Sequence, residues 1–306
     1  MTEAVPANPS ALRTWILAIR PPTLTAAVAP VIVGSAVAVR EHAFSAGPAL
    51  AALIGALAIQ AGANLANDLS DFRRGADTIH RLGPPRVTQR GLLSERQVAG
   101  GVVAAFLFAT LMGLYLTWVA GWAVIAIGLA SMAAAVAYTG GPWPFGYRAL
   151  GELFTFLFFG VVAVVGTYYV QAQELTASAL AASVPVGFTV TAILVVNNVR
   201  DIDTDRMAGK RTLAVVLGRE RARIFFVAIV AGAYLAAAAL WVFGGFPWWT
   251  LLAWLSAPLA VAPAEAVLSR VDGPSLNLAL KATARLHLVF ALLLSVGLAA
   301  SRVTGA

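Results

Sequence analysis

Residues 47–71 read GPALAALIGALAIQAGANLANDLSD, an apolar run that ends in asparagine and aspartate. A helix needs about 20 mainly apolar residues to cross the hydrocarbon core of a bilayer, and residues 47–69 of this stretch reach that length with part of the polar end included. Eight other stretches have the same character, so the sequence predicts nine membrane-spanning helices. The predicted spans are residues 23–39, 47–69, 97–119, 121–138, 150–170, 177–199, 224–243, 247–268 and 283–301.

The composition agrees with a membrane protein. The chain has 306 residues, of which 60% are hydrophobic and 11% are charged, and its mean hydropathy is +0.82. A soluble domain carries about 25% charged residues, so a soluble enzyme and a disordered chain are both excluded. Cysteine is absent, which excludes disulfides, thiolate metal sites and cysteine nucleophiles.

The basic residues predict which side of the membrane each loop occupies. Of the 21 Lys and Arg residues, only Arg40 and Arg302 fall in the loops on one side of the nine predicted spans. The positive-inside rule makes the other side cytoplasmic. We therefore predict a multi-pass protein of a bacterial-type inner (plasma) membrane, with a cytoplasmic N-terminus. The net charge of +7 is then a topology signal, and no nucleic-acid binding is expected.

Residues 1–21 form an N-terminal segment that precedes the first predicted span. Residues 11–19, ALRTWILAI, predict a short helix at the membrane interface, and Pro21-Pro22 should end it. The start of the chain is polar and lacks a short apolar stretch with a cleavage site, so we expect no cleavable signal peptide.

Two predicted spans end in rows of oxygen-bearing side chains on the cytoplasmic side. The second span ends with residues three or four positions apart, which share one stripe of a helix: Asn64, Asn67, Asp68 and Asp71. The sixth span ends with residues at intervals of four: Asn197, Asp201 and Asp205. Carboxylates on one stripe repel each other unless a cation lies among them. Carboxylate and amide oxygens suit Mg²⁺, so these seven residues are predicted Mg²⁺ ligands.

Basic residues follow each row, and they would balance the charge of a diphosphate bound through the metal. The candidates are Arg73, Arg74, Arg206, Lys210 and Arg211. One such loop would be typical of a solvated helix end that anchors topology. Two matched rows in distant parts of the chain favour a functional site.

The stretches ANDLSDFRRGAD (66–77) and NNVRDIDTDRMAGKRTLAVVLG (197–218) resemble the acidic motifs of the UbiA superfamily of intramembrane prenyltransferases. The resemblance runs from about Pro22 to the end of the ninth span. It is closest to the menaquinone-pathway branch, which acts on 1,4-dihydroxy-2-naphthoate, over residues 82–98, 137–160, 165–171 and 195–219. One position departs from the pattern: many members have a third acid where this chain has Gly75, and Asp77 follows two residues later.

The resemblance implies an all-α fold, with residues 1–306 as a single transmembrane domain. Nine helices would surround a central cavity, and the two long cytoplasmic loops would cap it. The implied reaction is Mg²⁺-dependent transfer of a polyprenyl group from polyprenyl diphosphate to 1,4-dihydroxy-2-naphthoate. The ring would lose its carboxyl group as CO₂ and give a demethylmenaquinol. The active site would lie near the cytoplasmic face, with the tail in contact with membrane lipid.

Within that reaction, Asp71, Asp201 and Asp205 are the predicted catalytic acids, because they would hold the metal that stabilises the leaving diphosphate. The allylic carbocation needs a dry aromatic wall. Tyr138 and Tyr168 are the predicted catalytic aromatics, and the further candidates are Phe156, Phe159 and Tyr169. Aromatic residues at span ends are also typical of the membrane-interface belt.

Arg148 and Glu152 lie four residues apart at the start of the fifth predicted span. Arg148 is a candidate partner for the carboxylate of the acceptor. Glu152 is an acid inside a membrane span, which indicates a functional role by default. An ion pair between these two residues is an equally good structural account.

Two other functions stay open at this stage. The first is a superfamily enzyme with a different aromatic acceptor, such as 4-hydroxybenzoate. The second is a transporter of divalent cations or lipids. A transporter would more naturally place its acids at mid-span near discontinuous helices, whereas the acids here cluster at one predicted rim.

Overall fold

The computed structural model of the protein describes residues 9–76, 82–83 and 86–304. The regular structure of these residues is helical, apart from one backbone bridge between Arg148 and Arg211. The predicted all-α class is therefore correct for this part of the chain. The helices are α1 (Ala11–Ile19), α2 (Thr25–Arg40), α3 (Ala46–Arg73), α4 (Glu95–Ala120), α5 (Ala123–Ala137), α6 (Gly151–Ala172), α7 (Ala177–Met207), α8 (Leu213–Leu217), α9 (Arg219–Gly244), α10 (Pro258–Ser269) and α11 (Gly273–Thr304).

Six helices are long and apolar enough to cross a membrane: α3, α4, α6, α7, α9 and α11. Two more spans arise if each of two bent helix pairs counts as one. These pairs are Ala11–Thr23 with α2, bent by 52°, and Trp248–Ser256 with α10, bent by 47°. Helix α5 has 15 residues, fewer than the roughly 20 that a straight span requires. The protein is a multi-pass membrane protein with six to eight spans among its described residues, by length and composition.

The hydrophobic core lies on one side of the bundle. Its largest cluster joins α2, α7, α9 and α11 and includes the fully buried Phe226 and Phe290. Helix α4 lies on the outside and exposes large apolar side chains, such as Leu107 and Trp118. Such an outward apolar face suits contact with lipid. A cavity remains between the core and the wall formed by α3, α4 and α5.

Helix α6 keeps one face on this cavity along most of its length. Phe154, Phe158, Val162 and Gly166 all line the cavity and recur every four residues. An α-helix has about 3.6 residues per turn, so a repeat of four drifts around its surface. A π-helical segment, Phe156–Val162, has a wider turn and offsets part of that drift. Such segments are frequent at functional sites.

Helices α6 and α7 cross so closely that only glycine fits at the contact. A Cβ atom on Gly160 would lie 2.5 Å from the Cα atom of Gly187. We expect Gly160→Ala to push the helices apart and to lower the free energy of unfolding by about 1–3 kcal/mol. The measurement is the thermal unfolding midpoint in detergent.

Gly100→Ala on α4 is the matched control, because nothing lies within 4 Å of a Cβ at that position. Alanine is the better helix former, so this variant should unfold at or above the wild-type temperature. A Gly160→Ala protein as stable as the Gly100→Ala protein would contradict the close crossing.

Candidate active site

A cavity of about 450 Å³ lies inside the bundle, with one polar end and a long apolar remainder. The polar end is formed by the carboxyl-terminal ends of α3 and α7 and by the loops that follow α3, α5 and α7. The apolar part is lined by side chains of α4, α5 and α6, including Met112, Leu116 and Ile127. A charged head group with a hydrocarbon tail fits this division.

The two acidic rows, which are far apart in sequence, line the same polar end. Asp71 on α3 and Asp201 on α7 both face the cavity. The other predicted metal ligands that line it are Asn64, Asn67, Asn197 and Asp205. Six of the seven predicted ligands therefore lie together, and Asp68 is the exception.

Asp71 lies at the centre of the polar end, where the chain's own donors surround its carboxylate. Oδ2 is 2.9 Å from a guanidinium nitrogen of Arg86, and Oδ1 is 3.3 Å from the ammonium of Lys210. The hydroxyl of Tyr147 donates to Oδ1 over 2.6 Å. The Asp71 side chain is only 2% exposed. A carboxylate so buried is stable as an anion only with partners of this kind.

Asp201 is held by the residue that precedes it. The guanidinium of Arg200 donates one hydrogen bond to each carboxylate oxygen of Asp201, at 2.7 and 2.5 Å, and so forms a bidentate pair. The same guanidinium donates to the amide oxygen of Asn197 over 2.9 Å and to that of Asn277 over 2.7 Å. Arg200 is 1% exposed. Asn277 in turn donates to the carbonyl of Leu82, so α7, α11 and the loop after α3 are joined at this point.

Asp68 does not line the cavity, although it lies in the first acidic row. Its carboxylate is 1% exposed and accepts hydrogen bonds from the backbone amides of Val87 and Thr88, at 3.2 and 3.3 Å. These contacts order the turn that brings Arg86 to Asp71. The position of Asp68 therefore favours loop ordering over metal binding.

The two asparagines of the first row are partly occupied by other contacts. Asn64 donates both amide hydrogens, to the carbonyl of Ile19 and to the hydroxyl of Thr23, at 2.8 and 2.9 Å. The amide oxygen of Asn67 accepts from the hydroxyl of Thr139 over 2.9 Å. Asn64 therefore fixes the connection between α1 and α2, while the oxygen atoms of both residues remain available as candidate ligands.

Of the five predicted diphosphate-binding residues, Lys210 is the one that lines the cavity. Its ammonium lies 4.7 Å from the ring centre of Tyr147. Arg206 and Arg211 are exposed and do not line the cavity. Arg206 directly follows Asp205 on α7, so it points about 100° away around the helix.

Arg73 and Arg74 are also exposed and lie outside the cavity lining. Arg73 pairs with Glu95 at 2.7 Å on the surface. Arg74 donates to the carbonyl of Gly141, and its guanidinium carbon lies 5.8 Å from the Tyr147 ring centre. Adjacency in sequence to the acidic row therefore did not indicate which cations face the site.

Three basic residues that helix periodicity did not single out line the cavity instead: Arg20, Arg86 and Arg200. Tyr147 was missed as well. Arg86 and Tyr147 lie in the stretches 82–98 and 137–160, which carried the resemblance but were not assigned roles. Arg200 lies inside the second motif, between the predicted ligands Asn197 and Asp201. That position in the sequence could have indicated that it faces the site.

An aromatic wall borders the cavity beneath the acids. The ring centres of Tyr138 and Phe145 are 5.5 Å apart in an edge-to-face arrangement. Phe145 stacks on Phe154 at 4.2 Å, and Phe154 lies 6.2 Å from Phe158 in a nearly parallel orientation. These rings line the cavity together with Phe159. Tyr138 and Phe159 are the two of these rings that were named as candidates from the sequence, and their catalytic role stays a prediction.

The structure contradicts the predicted catalytic position of Tyr168. This residue is fully buried at the opposite end of α6, and its hydroxyl contacts Glu41 and Glu174 at 2.5 and 3.1 Å. Tyr168 is separated from Tyr138 by most of the length of the span, because about five helical turns intervene between Gly151 and residue 168. Phe156 and Tyr169 also face away from the cavity, toward Phe188 and the carbonyl of Ala120.

The Arg148–Glu152 ion pair does not form. Arg148 is exposed, with its guanidinium carbon 4.9 Å from the ring centre of Trp143. Glu152 is buried and accepts a hydrogen bond from the amide of Asn198 over 2.9 Å. The reason is Ala149, whose φ of 56° turns the backbone between the two residues, so their spacing of four is not helical.

Because Arg148 lies outside the cavity lining, we expect Arg148→Ala to change the KM of either substrate by no more than about threefold, the usual range for a surface substitution. Steady-state kinetics with each substrate varied in turn provides the measurement. A selective tenfold rise in the acceptor KM would instead assign the acceptor carboxylate to Arg148.

The donor set at the polar end suits Mg²⁺, provided that a substrate completes the coordination. Among the residues that the structure describes, no three acidic or histidine side chains cluster closely enough to form a preformed metal site. Mg²⁺ usually binds one or two carboxylates together with substrate phosphates. Asp71, Asp201 and Asp205, with the amide oxygen of Asn67, can supply that share. Asp77 lies outside the described residues.

Residues 27–289 match the family described as "UbiA prenyltransferase family". The 1,4-dihydroxy-2-naphthoate octaprenyltransferase of Mycobacterium tuberculosis is 39% identical over 285 residues, covering 93% of this chain and 96% of that protein. The enzyme of the same name from Escherichia coli is 34% identical, over 94% and 96% of the two chains. A solved structure of a UbiA homolog from Archaeoglobus fulgidus bound to GPP and Mg²⁺ has a similar fold, with a TM-score of 0.64 and 19% identity over 94% of this chain and 99% of that chain.

Proposed function

Since the chain belongs to the UbiA prenyltransferase family, we infer that it transfers a polyprenyl group from polyprenyl diphosphate to 1,4-dihydroxy-2-naphthoate, with decarboxylation, to give a demethylmenaquinol. The relatives that carry this activity in their names match the chain nearly end to end. The observation that carries the proposal is the convergence of both acidic rows and Lys210 at the polar end of an apolar cavity. An amphiphilic diphosphate is the substrate that needs both parts.

The diphosphate binds at the polar end through the cations that now face Asp71. Lys210 and Arg86 can transfer their hydrogen bonds from the Asp71 carboxylate to phosphate oxygens, and charge-assisted bonds of this kind are the strong ones. Mg²⁺, when held by Asp71, Asp201, Asp205 and Asn67, supplies a Lewis acid that neutralises the leaving diphosphate. The hydroxyl of Tyr147 adds a donor at the same place.

The apolar part of the cavity holds the prenyl chain and protects the cation. Each buried CH₂ group contributes about 0.8 kcal/mol, so the tail anchors the substrate with its diphosphate at the polar end. Phe145, Phe154 and Phe158 offer π faces without a nucleophilic atom, which stabilises an allylic cation and excludes water from it. Tyr138 completes this wall nearest the acids.

Decarboxylation removes the need for a base at the reacting carbon. The C–O bond of the allylic diphosphate breaks, and its electron pair leaves with the diphosphate. A ring electron pair then forms the new C–C bond at the carbon that carries the carboxylate. The C–CO₂ bond breaks, its electron pair restores the aromatic ring, and CO₂ departs. No ring proton has to leave, in contrast to the alkylation of 4-hydroxybenzoate at a C–H position.

We propose the predicted topology for the same protein, with residues 1–306 as one domain and residues 1–21 at the interface. Helix α5 completes nine spans if it crosses a locally thinner part of the bilayer. The N-terminus and the polar end of the cavity then face the cytoplasm, because the loops at that end carry nearly all of the Lys and Arg residues.

The test is a reaction of the purified protein with Mg²⁺, a polyprenyl diphosphate and a panel of aromatic acids. Release of CO₂ and prenylation with 1,4-dihydroxy-2-naphthoate are the expected results. Prenylation of 4-hydroxybenzoate without CO₂, and none of the naphthoate, would overturn the acceptor assignment. Absence of prenyl transfer to every acceptor would overturn the enzymatic proposal.

A further inference from the structure

A buried pair of side chains, Glu152 and Asn198, lies directly below the acidic end of the cavity. Asn198 lines the cavity and stands three residues before Asp201 on α7, so it is about 4.5 Å further along the helix axis toward the apolar part. Neither acidic row includes it. Leu194, one turn further, is already apolar and also lines the cavity. Asn198 therefore marks the boundary between the diphosphate region and the aromatic wall.

The orientation of the Asn198 amide is set by its partner. A carboxylate oxygen accepts hydrogen bonds, and Oε1 of Glu152 accepts from Nδ2 of Asn198 over 2.9 Å. The amide oxygen of Asn198 must then point away from Glu152. Glu152 is only 5% exposed, and within the described part of the chain its other carboxylate oxygen has no hydrogen-bond partner. This acid therefore makes one side-chain hydrogen bond, and that bond orients Asn198.

The amide oxygen of Asn198 presents an unused acceptor to the cavity. No residue in the described ranges donates a hydrogen bond to it, although the side chain is buried in the cavity wall. This oxygen is not enclosed by the protein and opens onto the cavity, so a ligand that carries a hydrogen-bond donor can reach it. The prenyl diphosphate has none, because its tail is hydrocarbon and its phosphate oxygens accept. A hydroxylated aromatic ring does carry donors.

We infer that Asn198 recognises a ring hydroxyl of the aromatic acceptor, and that Glu152 is the positioning residue that holds its amide in the accepting orientation. The inference rests on the proposed function, since it assumes a hydroxyaromatic acceptor next to the allylic carbon. A hydrogen bond from the hydroxyl to Asn198 places the ring against the aromatic wall formed by Tyr138 and Phe154. It also increases the electron density of the ring that attacks the cation.

The test compares hydroxylated acceptors with analogues in which a ring hydroxyl is replaced by methoxy. Wild-type protein should discriminate strongly, because a methoxy group cannot donate to Asn198. In Asn198→Leu the acceptor KM should rise about tenfold or more, and the preference for hydroxyl over methoxy should disappear. The KM of prenyl diphosphate should stay within about twofold of wild type, a range typical of residues without a direct contact.

Two further variants separate positioning from a merely structural role. The side chain introduced by Glu152→Gln can donate as well as accept, so the Asn198 amide can bind it in either of its two orientations. The preference for hydroxyl over methoxy should therefore fall, but by less than in Asn198→Leu. The double variant Glu152→Gln with Asn198→Asp exchanges the amide and the carboxyl group between the two positions. The amide at position 152 can donate to one carboxyl oxygen at position 198, and the other oxygen at position 198 then faces the cavity. The hydroxyl preference should return in this double variant, whereas loss of packing alone would not be repaired by the exchange.

Gln171→Leu is the matched control, because Gln171 is a buried amide at the far end of α6 that donates to Thr167 and Ser35 and does not line the cavity. Its hydroxyl preference should equal that of wild type.

An unchanged preference in both Asn198→Leu and Glu152→Gln would overturn the inference, and if Asn198→Leu fails to fold, the exchange variant decides. The wild-type acceptor panel judges the proposed function separately, since the hydroxyl preference is measured on whichever hydroxyaromatic acid is prenylated.

Discussion

Asp71→Asn should reduce prenyl transfer at least about 100-fold, the size of loss seen when one group that stabilises developing charge is removed. The substitution keeps the shape of the side chain and removes its negative charge. Asp71 is the common partner of Arg86, Lys210 and Tyr147 and a candidate ligand of Mg²⁺. Both the metal and the arrangement of the cations should therefore be disturbed. Turnover of the purified variant at saturating concentrations of both substrates is the measurement.

Asp203→Asn is the matched control for Asp71→Asn. Asp203 belongs to the second acidic segment but points outward, with 68% of its side chain exposed, and pairs with Arg219. An exposed ion pair contributes about 0–1 kcal/mol to stability, so this variant should fold and turn over like wild type. Wild-type turnover in Asp71→Asn, or equal losses in the two variants, would contradict the assignment of Asp71 to the site.

Lys210→Ala should raise the KM of prenyl diphosphate and lower kcat/KM for it by about 30-fold or more, since a hydrogen bond to a charged group contributes about 1.5–3 kcal/mol. Lys210 is the predicted diphosphate-binding residue that lines the cavity. Its ammonium contacts the Asp71 carboxylate and the ring of Tyr147, so its removal takes away one of the two cations that face Asp71 and leaves Arg86 as the other. Initial rates at varied prenyl diphosphate concentration measure the effect.

Arg206→Ala provides the comparison, because Arg206 lies in the same segment, is exposed and does not line the cavity. Its kcat/KM for prenyl diphosphate should stay within about twofold of wild type. If Arg206→Ala and Lys210→Ala lost activity equally, a general electrostatic attraction of the diphosphate would replace the specific contact. In that case, raising the salt concentration should weaken the binding of prenyl diphosphate to wild type about as much as either substitution does, because salt screens exposed charges.

Hydropathy located the helices but not their ends. The second and sixth predicted spans, 47–69 and 177–199, correspond to α3 and α7, which continue to Arg73 and Met207. Polar residues end a hydrophobic run, yet backbone hydrogen bonds continue wherever the chain stays helical. The acidic rows consequently sit on the last turns of the helices, where their three- and four-residue spacing brings them onto one face.

Helical spacing selected Asn67, Asp71, Asp201 and Asp205, which all line the cavity, because residues three or four apart share a face of the helix. It also selected Asp68, whose carboxylate instead accepts from backbone amides of the following loop. The same periodicity accounts for the exposed position of Arg206, which lies one residue from Asp205. It failed for Arg148 and Glu152, because a residue with a left-handed backbone conformation, Ala149, interrupts the helix between them.

Local pattern thus determined the helical class, the membrane location, the two acidic rows and the family resemblance, since hydrophobic length and side-chain periodicity are properties of contiguous residues. Tertiary structure decided which cations face Asp71, that Asp68 orders a loop, that Tyr168 lies at the far end of its helix, and that Glu152 pairs with Asn198. Each of these depends on which distant segments meet. Loops such as the turn at Arg86 are positioned by contacts with other helices, and those contacts have no signature in the adjacent sequence.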